Sequence, residues 1–188
     1  LGCGYWGPNL LRNFLVQPHC RVKWVADSSV ERRTFIQNTF PTTTPIPEIE
    51  PIFDDPEVDG VVIATPAASH YSLAKAALSC DKHVFVEKPL AMTTAEAEEL
   101  AQLAMTKQRI LFAGHTFLYN PAVRYLKKLV DQRDLGDIYY ITCQRLNLGQ
   151  VRNDVNAWWN LAPHDVSILL YLMNGELPLS IAVQGMDY

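Results

Sequence analysis

The sequence predicts an α/β fold built on a parallel sheet, followed by a second, α+β domain. Three observations predict it. Strand-like and helix-like segments alternate from the start of the chain to residue 113. Two of the strand-like segments, Gly60-Val61-Val62-Ile63-Ala64 and His83-Val84-Phe85-Val86, are continuous apolar runs of the kind buried on both faces. And Gly2-x-Gly4-x-x-Gly7 stands immediately ahead of the first helical pattern.

The elements follow in order. Trp6 to Val16 carries Leu10, Leu11, Phe14 and Leu15 on one helical face. Arg21 to Ala26 is a short strand ending at Asp27, and Val30 to Phe40 a second helix. Pro41 to Pro51, rich in Thr and Pro, reads as a surface loop. A buried strand lies within Val58 to Thr65, and Ser69 is placed to cap a helix over His70 to Cys80. The strand His83 to Glu87 follows, then a helix through Thr106 opened by the capping box Thr93-x-x-Glu96, then a strand over Ile110 to Ala113. Beyond Asp137 the pattern changes. Ile138 to Leu146 reads as a strand of mixed polarity, Pro163 to Met173 as a helix with Pro in its first turn and Gly175 past its end, and Ser180 to Gln184 as a last strand. The boundary is expected near residue 118, giving domains 1–118 and 119–188. The abrupt start on a glycine motif and the unclosed last strand read as a piece lacking both ends, its first strand, central in the sheet, among the missing parts.

Composition excludes several classes. The 188 residues are 48 % hydrophobic, enough for a core and too many for a disordered chain. A net charge of −4 gives no positive field for nucleic acid, so no nucleic-acid partner is expected. No apolar run reaches the ~18 residues of a membrane span, so no membrane partner is expected either. Cys3, Cys20, Cys80 and Cys143 show no C-x-x-C spacing, which fits reduced thiols in a cytoplasm rather than disulfides or zinc.

The glycines have distinct tasks in a dinucleotide site. Gly2 makes the tight turn, Gly4 lets pyrophosphate approach the backbone, and Gly7 lets helix and strand pack closely. The helix N-terminus then offers N–H groups to the phosphates. Asp27 stands at the end of the second strand, at the offset where a carboxylate accepts from the adenosine ribose hydroxyls. It would repel a ribose phosphate, which favours NAD over NADP; Arg32 and Arg33 nearby could weaken that preference. Tyr5 and Trp6 in the turn, and Ser28 beside Asp27, join the cofactor-binding set.

Ligands of open α/β sheets bind beyond the carboxyl ends of strands. Two such ends stand out: Thr65-Pro66 with His70, and Glu87-Lys88-Pro89. Lys88 can hold a substrate hydroxyl and stabilise charge on its oxygen, or pair with Glu87 at the surface. His70 reads as a helix-start residue near the cofactor. Further on, Asn160 and His164 are one helical turn apart if the helix begins early enough. His164 is suited to passing a proton, or to a helix start against Asp165. With no second His or Cys nearby, a metal site is rejected. Arg145, Asn147, Arg152, Trp159 and Asn160, with Tyr119, suit a ligand bearing sugar and phosphate.

Taken in order, the glycine motif, Asp27, Ala64-Thr65-Pro66 with His70, Lys82-His-Val-Phe-Val-Glu-Lys-Pro-Leu90 and the His164 motif resemble the Gfo/Idh/MocA family of NAD(P)-dependent oxidoreductases. The resemblance implies a Rossmann domain, a second domain on a large, mostly antiparallel sheet, and homo-oligomers. It implies that Lys88 is the catalytic-site lysine and His164 the acid/base histidine. Asn160 stands where many members carry Asp, and an amide cannot accept a proton. The stretch from Arg145 to Asp165 is most similar to the nucleotide-sugar 3-dehydrogenases of bacterial polysaccharide pathways, implying oxidation at C3 of a UDP-N-acetylhexosamine or its uronic acid. Three other readings stay open: a free polyol dehydrogenase of the myo-inositol type, an NAD-dependent glycosidase, and a non-enzymatic NAD sensor.

Overall fold

The structure, a computed structural model, describes residues 1–146 and 155–186. The chain divides into two compact units, Leu1–Gly114 and His115–Tyr188.

In the first unit the elements run α1 (Gly7–Leu15), β1 (Trp24–Ala26), α2 (Val30–Thr39), β2 (Thr44–Ile46), α3 (Glu50–Asp54), β3 (Gly60–Ile63), α4 (His70–Ser79), β4 (His83–Val86), α5 (Thr94–Lys107) and β5 (Leu111–Ala113). All strand pairs are parallel. β1 pairs with β2, and β3, β4 and β5 form a second ladder with Val61 opposite Val84 and Phe85 opposite Phe112. Leu1 and Gly2 join the two ladders. The Leu1 nitrogen donates to Val62 O at 2.5 Å and the Ala64 N–H donates to Leu1 O at 2.8 Å, while the Gly2 N–H donates to Ala26 O at 2.8 Å. Residues 1–2 therefore lie between β1 and β3.

The apolar runs are buried as their composition demands. Ile63 and Val86 are fully buried against Leu78 and Leu100, and Ala74 and Ala77 let α4 approach the sheet closely. Each such large side chain contributes about 1.5–3 kcal/mol. A second cluster gathers Cys3, Leu11, Val25 and Ile36 around α1, β1 and α2. An apolar cleft of about 560 Å³ runs along the seam between β1 and β3, lined among others by Leu11, Phe14, Val25, Val61 and Phe85. None of His70, Glu87 and Lys88 lines it.

Two expectations for this unit are corrected. The stretch 41–51 is not all loop: Thr44–Ile46 is the edge strand β2, and Glu50 opens α3. Pro45 hid the strand, but an edge position tolerates a missing N–H. Ser69 does not cap α4 with its side chain. Its Oγ lies 2.8 Å from Thr65 Oγ1 and 2.7 Å from Pro66 O, because residues 67–69 first make a 3₁₀ turn. The capping box of α5 is formed as expected, Thr93 Oγ1 accepting from Glu96 N–H and Glu96 Oε2 from Thr93 N–H.

The second unit contains a 3₁₀ turn over Thr116–Tyr119, α6 (Pro121–Asp131) and α7 (Ala157–Leu172). Here α7 begins six residues earlier than the sequence suggests, and Pro163 lies inside it. Asn156 supplies the start: its Oδ1 accepts from Trp159 N–H at 3.0 Å. Gly175 adopts φ +81° past the helix end, as a terminating glycine does. The sequence predicts strands over 138–146 and 180–184, and the structure has none there. Tyr139, Tyr140, Leu179 and Ile181 are largely exposed, and a strand pattern without a neighbour to complete its ladder stays irregular. The described residues of this unit hold no strand, so the antiparallel sheet is not formed within them.

Candidate functional site

Each glycine of the motif meets a different environment. Gly2 has φ +80°, and a Cβ there would lie 2.8 Å from Thr65 Cγ2 and 2.9 Å from the Ala64 carbonyl. A Cβ on Gly7 would collide with the Gly2 carbonyl oxygen. On Gly4 it would meet nothing within 4 Å. The turn is thus closed at its first and third glycines and open at its second, just ahead of the N-terminus of α1. Tyr5 and Trp6 at its crest are exposed.

Asp27 ends β1 and holds the turn from the other side. Its Oδ2 accepts from Cys3 N–H at 2.7 Å and its Oδ1 from Ser29 N–H at 2.9 Å. Remaining lone pairs can take ribose hydroxyls. Arg33 donates to the carbonyls of Asp27 and Ser28 at 2.7 and 2.8 Å. Arg32 and Ser28 are exposed.

The ends of β3 and β4 bring Thr65, Pro66, His70, Glu87 and Lys88 into one region of the first unit. His70 is buried, with Nδ1 2.6 Å from Pro89 O and Nε2 2.8 Å from Thr65 O. Glu87 is buried too. Its Oε2 accepts from the Lys88 backbone N–H at 3.3 Å, while Oε1 has no hydrogen-bond partner among the described residues. A Cβ on Gly114 would stand 3.3 Å from that Oε1, so the strand end after β5 closes over the carboxyl. Burial pushes the Glu87 carboxyl up from its ordinary value, against opposing pulls from Lys88, Trp6 and His70.

In the second unit, Asn160 and His164 lie one turn apart on α7 and share a face. The His164 ring packs on Phe117, with centroids 4.8 Å apart and planes at 60°. Phe117 also carries the guanidinium of Arg145 over its face at 4.9 Å. Arg145 grips Asp165 through both arms, and this partner holds its guanidinium above the usual arginine value. His164 therefore does not face an Asp165 free to cap it. Tyr119 is exposed, with the guanidinium of Arg124 over its ring at 5.1 Å, and Trp159 is half-buried. Asn147 and Arg152 lie outside the described residues.

Sequence reading missed Phe117, Gly114 and His115, and gave Asp165 only as a helix-start partner of His164, not as the partner of Arg145. Burial lowers the His115 imidazole from its ordinary value, and its Nδ1 finds no partner among the described residues. Gly114 and His115 directly follow the last strand of the alternation, so the strand-end rule that singled out Lys88 could have found them. Among the described residues no group of three or more His, Cys, Asp or Glu could hold a metal ion, and no helix is long and apolar enough to cross a membrane.

An open second glycine, a helix N-terminus beside it and a carboxylate at the end of the next strand fit the pyrophosphate and ribose of a dinucleotide. The fold and this cradle define a Rossmann dinucleotide-binding protein. Residues 1–115 match the family described as "Oxidoreductase family, NAD-binding Rossmann fold", and the chain belongs to this family, Gfo/Idh/MocA. It is 35 % identical over 161 residues to the uncharacterized oxidoreductase YdgJ of Escherichia coli K12, covering 80 % of this chain and 45 % of that one. It is 32 % identical over 130 residues to UDP-N-acetylglucosamine 3-dehydrogenase of Acidithiobacillus ferrooxidans, covering 69 % and 40 %. The solved structure of yvaA from Bacillus subtilis superposes with a TM-score of 0.81 at 27 % identity, over 93 % of this chain and 51 % of that one. The chain thus spans less than half the length of these two curated relatives.

Proposed function

We propose that the protein is an NAD-dependent dehydrogenase that moves a hydride between nicotinamide and a secondary alcohol of a nucleotide sugar, at C3 of a UDP-N-acetylhexosamine or its uronic acid. The observation that carries the redox reading is the differentiated glycine turn held by Asp27, together with Lys88 at the end of β4. The sugar class is supported by the likeness to UDP-N-acetylglucosamine 3-dehydrogenase.

Gly4 and the first turn of α1 hold the pyrophosphate, Asp27 the adenosine ribose, and the ends of β3 and β4 the nicotinamide half. Hydride acceptance is the chemistry a bound nicotinamide supplies. Lys88 donates to the hydroxyl oxygen and stabilises the charge that develops there. His164, set by Phe117, takes the hydroxyl proton. Asn160, an amide, orients the sugar. Copies of the protein are expected to assemble as a dimer or tetramer, as the family resemblance implies.

One observation favours a second reading, a free polyol or sugar. The guanidinium of Arg145 is engaged by Asp165 and so is less available to a substrate phosphate. The test is NADH formation by the intact protein with NAD and, in parallel, UDP-N-acetylglucosamine, its uronic acid and myo-inositol. Turnover with a UDP-sugar supports the first reading, turnover with inositol alone the second, and hydrolysed sugar without net NADH a glycosidase. Lys88→Ala should lower kcat by about a hundredfold or more while NAD binding persists. Equal loss of NAD binding would remove Lys88 from the chemistry.

A further inference from the structure

Arg145, a residue type suited to a substrate phosphate, is engaged on two sides within the second unit. Its Nε donates to Asp165 Oδ2 at 2.8 Å and its Nη2 to Asp165 Oδ1 at 2.9 Å. Its guanidinium carbon lies 4.9 Å from the centre of the Phe117 ring. A planar guanidinium can do both at once, its forked edge matching a carboxylate and its flat face stacking on an aromatic ring. A phosphate could replace Asp165 only by breaking two charge-assisted hydrogen bonds.

The contacts close on His164. The Phe117 ring lies 4.8 Å from the His164 ring, centre to centre, with the planes at 60°. His164 and Asp165 are successive residues of α7, so their side chains leave the helix axis about 100° apart. Arg145 thus reaches α7 directly at Asp165 and, through Phe117, at His164. The four side chains come from three segments: the 3₁₀ turn Thr116–Tyr119, the stretch leading up to Leu146, and α7. That stretch is neither strand nor helix, so no backbone ladder sets the place of Arg145. The fork sets it instead. Phe117 touches both Arg145 and His164, and its ring cannot turn or withdraw without disturbing one of them.

We infer that Arg145 is a positioning residue rather than a ligand of substrate phosphate: its fork on Asp165 sets the Phe117 ring, and the ring sets the imidazole of His164. The support rests on geometry alone. Its effect on turnover rests on the reading of His164 proposed above.

The test uses the intact protein and two variants, with folding checked by melting curves and NAD affinity. Arg145→Lys keeps the positive charge and loses the fork and the flat face. Asp165→Asn keeps the shape and loses the charge and one acceptor. In proton spectra the His164 ring resonances feel the ring current of Phe117 and should move in both variants, while those of His19, in the first unit, stay. Unmoved His164 resonances overturn the support, whatever the enzyme does. With whichever of UDP-N-acetylglucosamine and myo-inositol the parent turns over, kcat should fall by about tenfold or more in both variants, with the KM for that sugar little changed. A raised KM with kcat kept, in Arg145→Lys alone, would make Arg145 a substrate ligand and overturn the positioning role. Parental kcat in both folded variants would overturn it too. Should either variant fail to fold, Phe117→Leu leaves the fork intact, removes the platform and should show the same fall in kcat; parental kcat there overturns the role. A parent protein without dehydrogenase activity would instead remove the reading of His164, and the spectra would still decide the support.

Discussion

Arg145 holds Asp165 with both arms of its guanidinium, Nε to Oδ2 at 2.8 Å and Nη2 to Oδ1 at 2.9 Å. The pair ties the segment leading up to Leu146 to α7, one residue beyond His164. Both side chains are about three-quarters buried, being 24 % and 23 % exposed. Hydrogen bonds to charged groups at such sites are worth about 1.5–3 kcal/mol. A denaturation cycle of wild type, Arg145→Ala, Asp165→Ala and the double variant should give a coupling near the lower end of that range. Zero coupling would mean that the pair holds nothing.

The three glycines of the turn should fail in different ways. Gly7→Ala forces a Cβ onto the Gly2 carbonyl and should cost about 1–3 kcal/mol of stability. Gly4→Ala meets no neighbour and should leave stability within about 0.5 kcal/mol. Its methyl would occupy the phosphate approach, so NAD affinity should fall by about tenfold or more. Melting curves and NAD titration of both variants check this, and a Gly4→Ala protein that binds NAD normally would move the phosphates elsewhere.

Asp27 should set the choice between NAD and NADP. Its carboxylate is fixed by Cys3 and Ser29, so it cannot swing away from a ribose phosphate, and Arg33 spends its donors on carbonyls. Asp27→Ser removes the charge and keeps a short acceptor. The ratio of kcat/KM for NAD to that for NADP should drop by about tenfold or more. An unchanged ratio would shift the choice to Arg32.

Glu87 should make stability depend on pH in an unusual direction. Burial raises its pKa in the folded state, so the folded protein binds this proton more tightly than the unfolded chain. The stabilisation is complete below the unfolded value of ~4.3. It is lost as pH rises through the folded value. Glu87→Gln cannot ionise and escapes that loss. Its melting temperature should gain on the wild type as pH climbs from about 4 towards neutrality. Parallel curves would show that the carboxyl is as well solvated folded as unfolded.

Sequence alone revealed most of the first unit, because its signals are local or depend on complete burial. Val61, Ile63, Val84 and Val86 form continuous apolar runs only where both faces are covered, and Thr93 with Glu96 writes its helix start in four residues. The edge strand at Thr44–Ile46 was hidden because its residues are half-exposed and include Pro45. In the second unit the patterns mislead for a physical reason. Ile138 to Leu146 has the side chains of a strand, but strand formation needs a second segment that no local pattern supplies. Pro163 resembles a helix start, and the stronger start lies at Asn156, whose side chain caps Trp159. The glycines, Asp27, Lys88 and His164 were legible as types at spacings. The fork of Arg145 onto Asp165 and the ring of Phe117 under His164 were not, since each joins positions far apart in sequence.

The peptide links at residues 1–2 are at once the stitch between two halves of a sheet and the first step of the turn proposed to receive pyrophosphate. Anything that settles into that turn therefore grips the sheet at its seam. Amide protons at Gly2 and Ala64, which span the stitch, should exchange with deuterium more slowly once NAD is added, with Val86 on the interior strand β4 as the unmoved reference. Occupancy of the turn would then be readable as a local stiffening, with no sugar present and no turnover required.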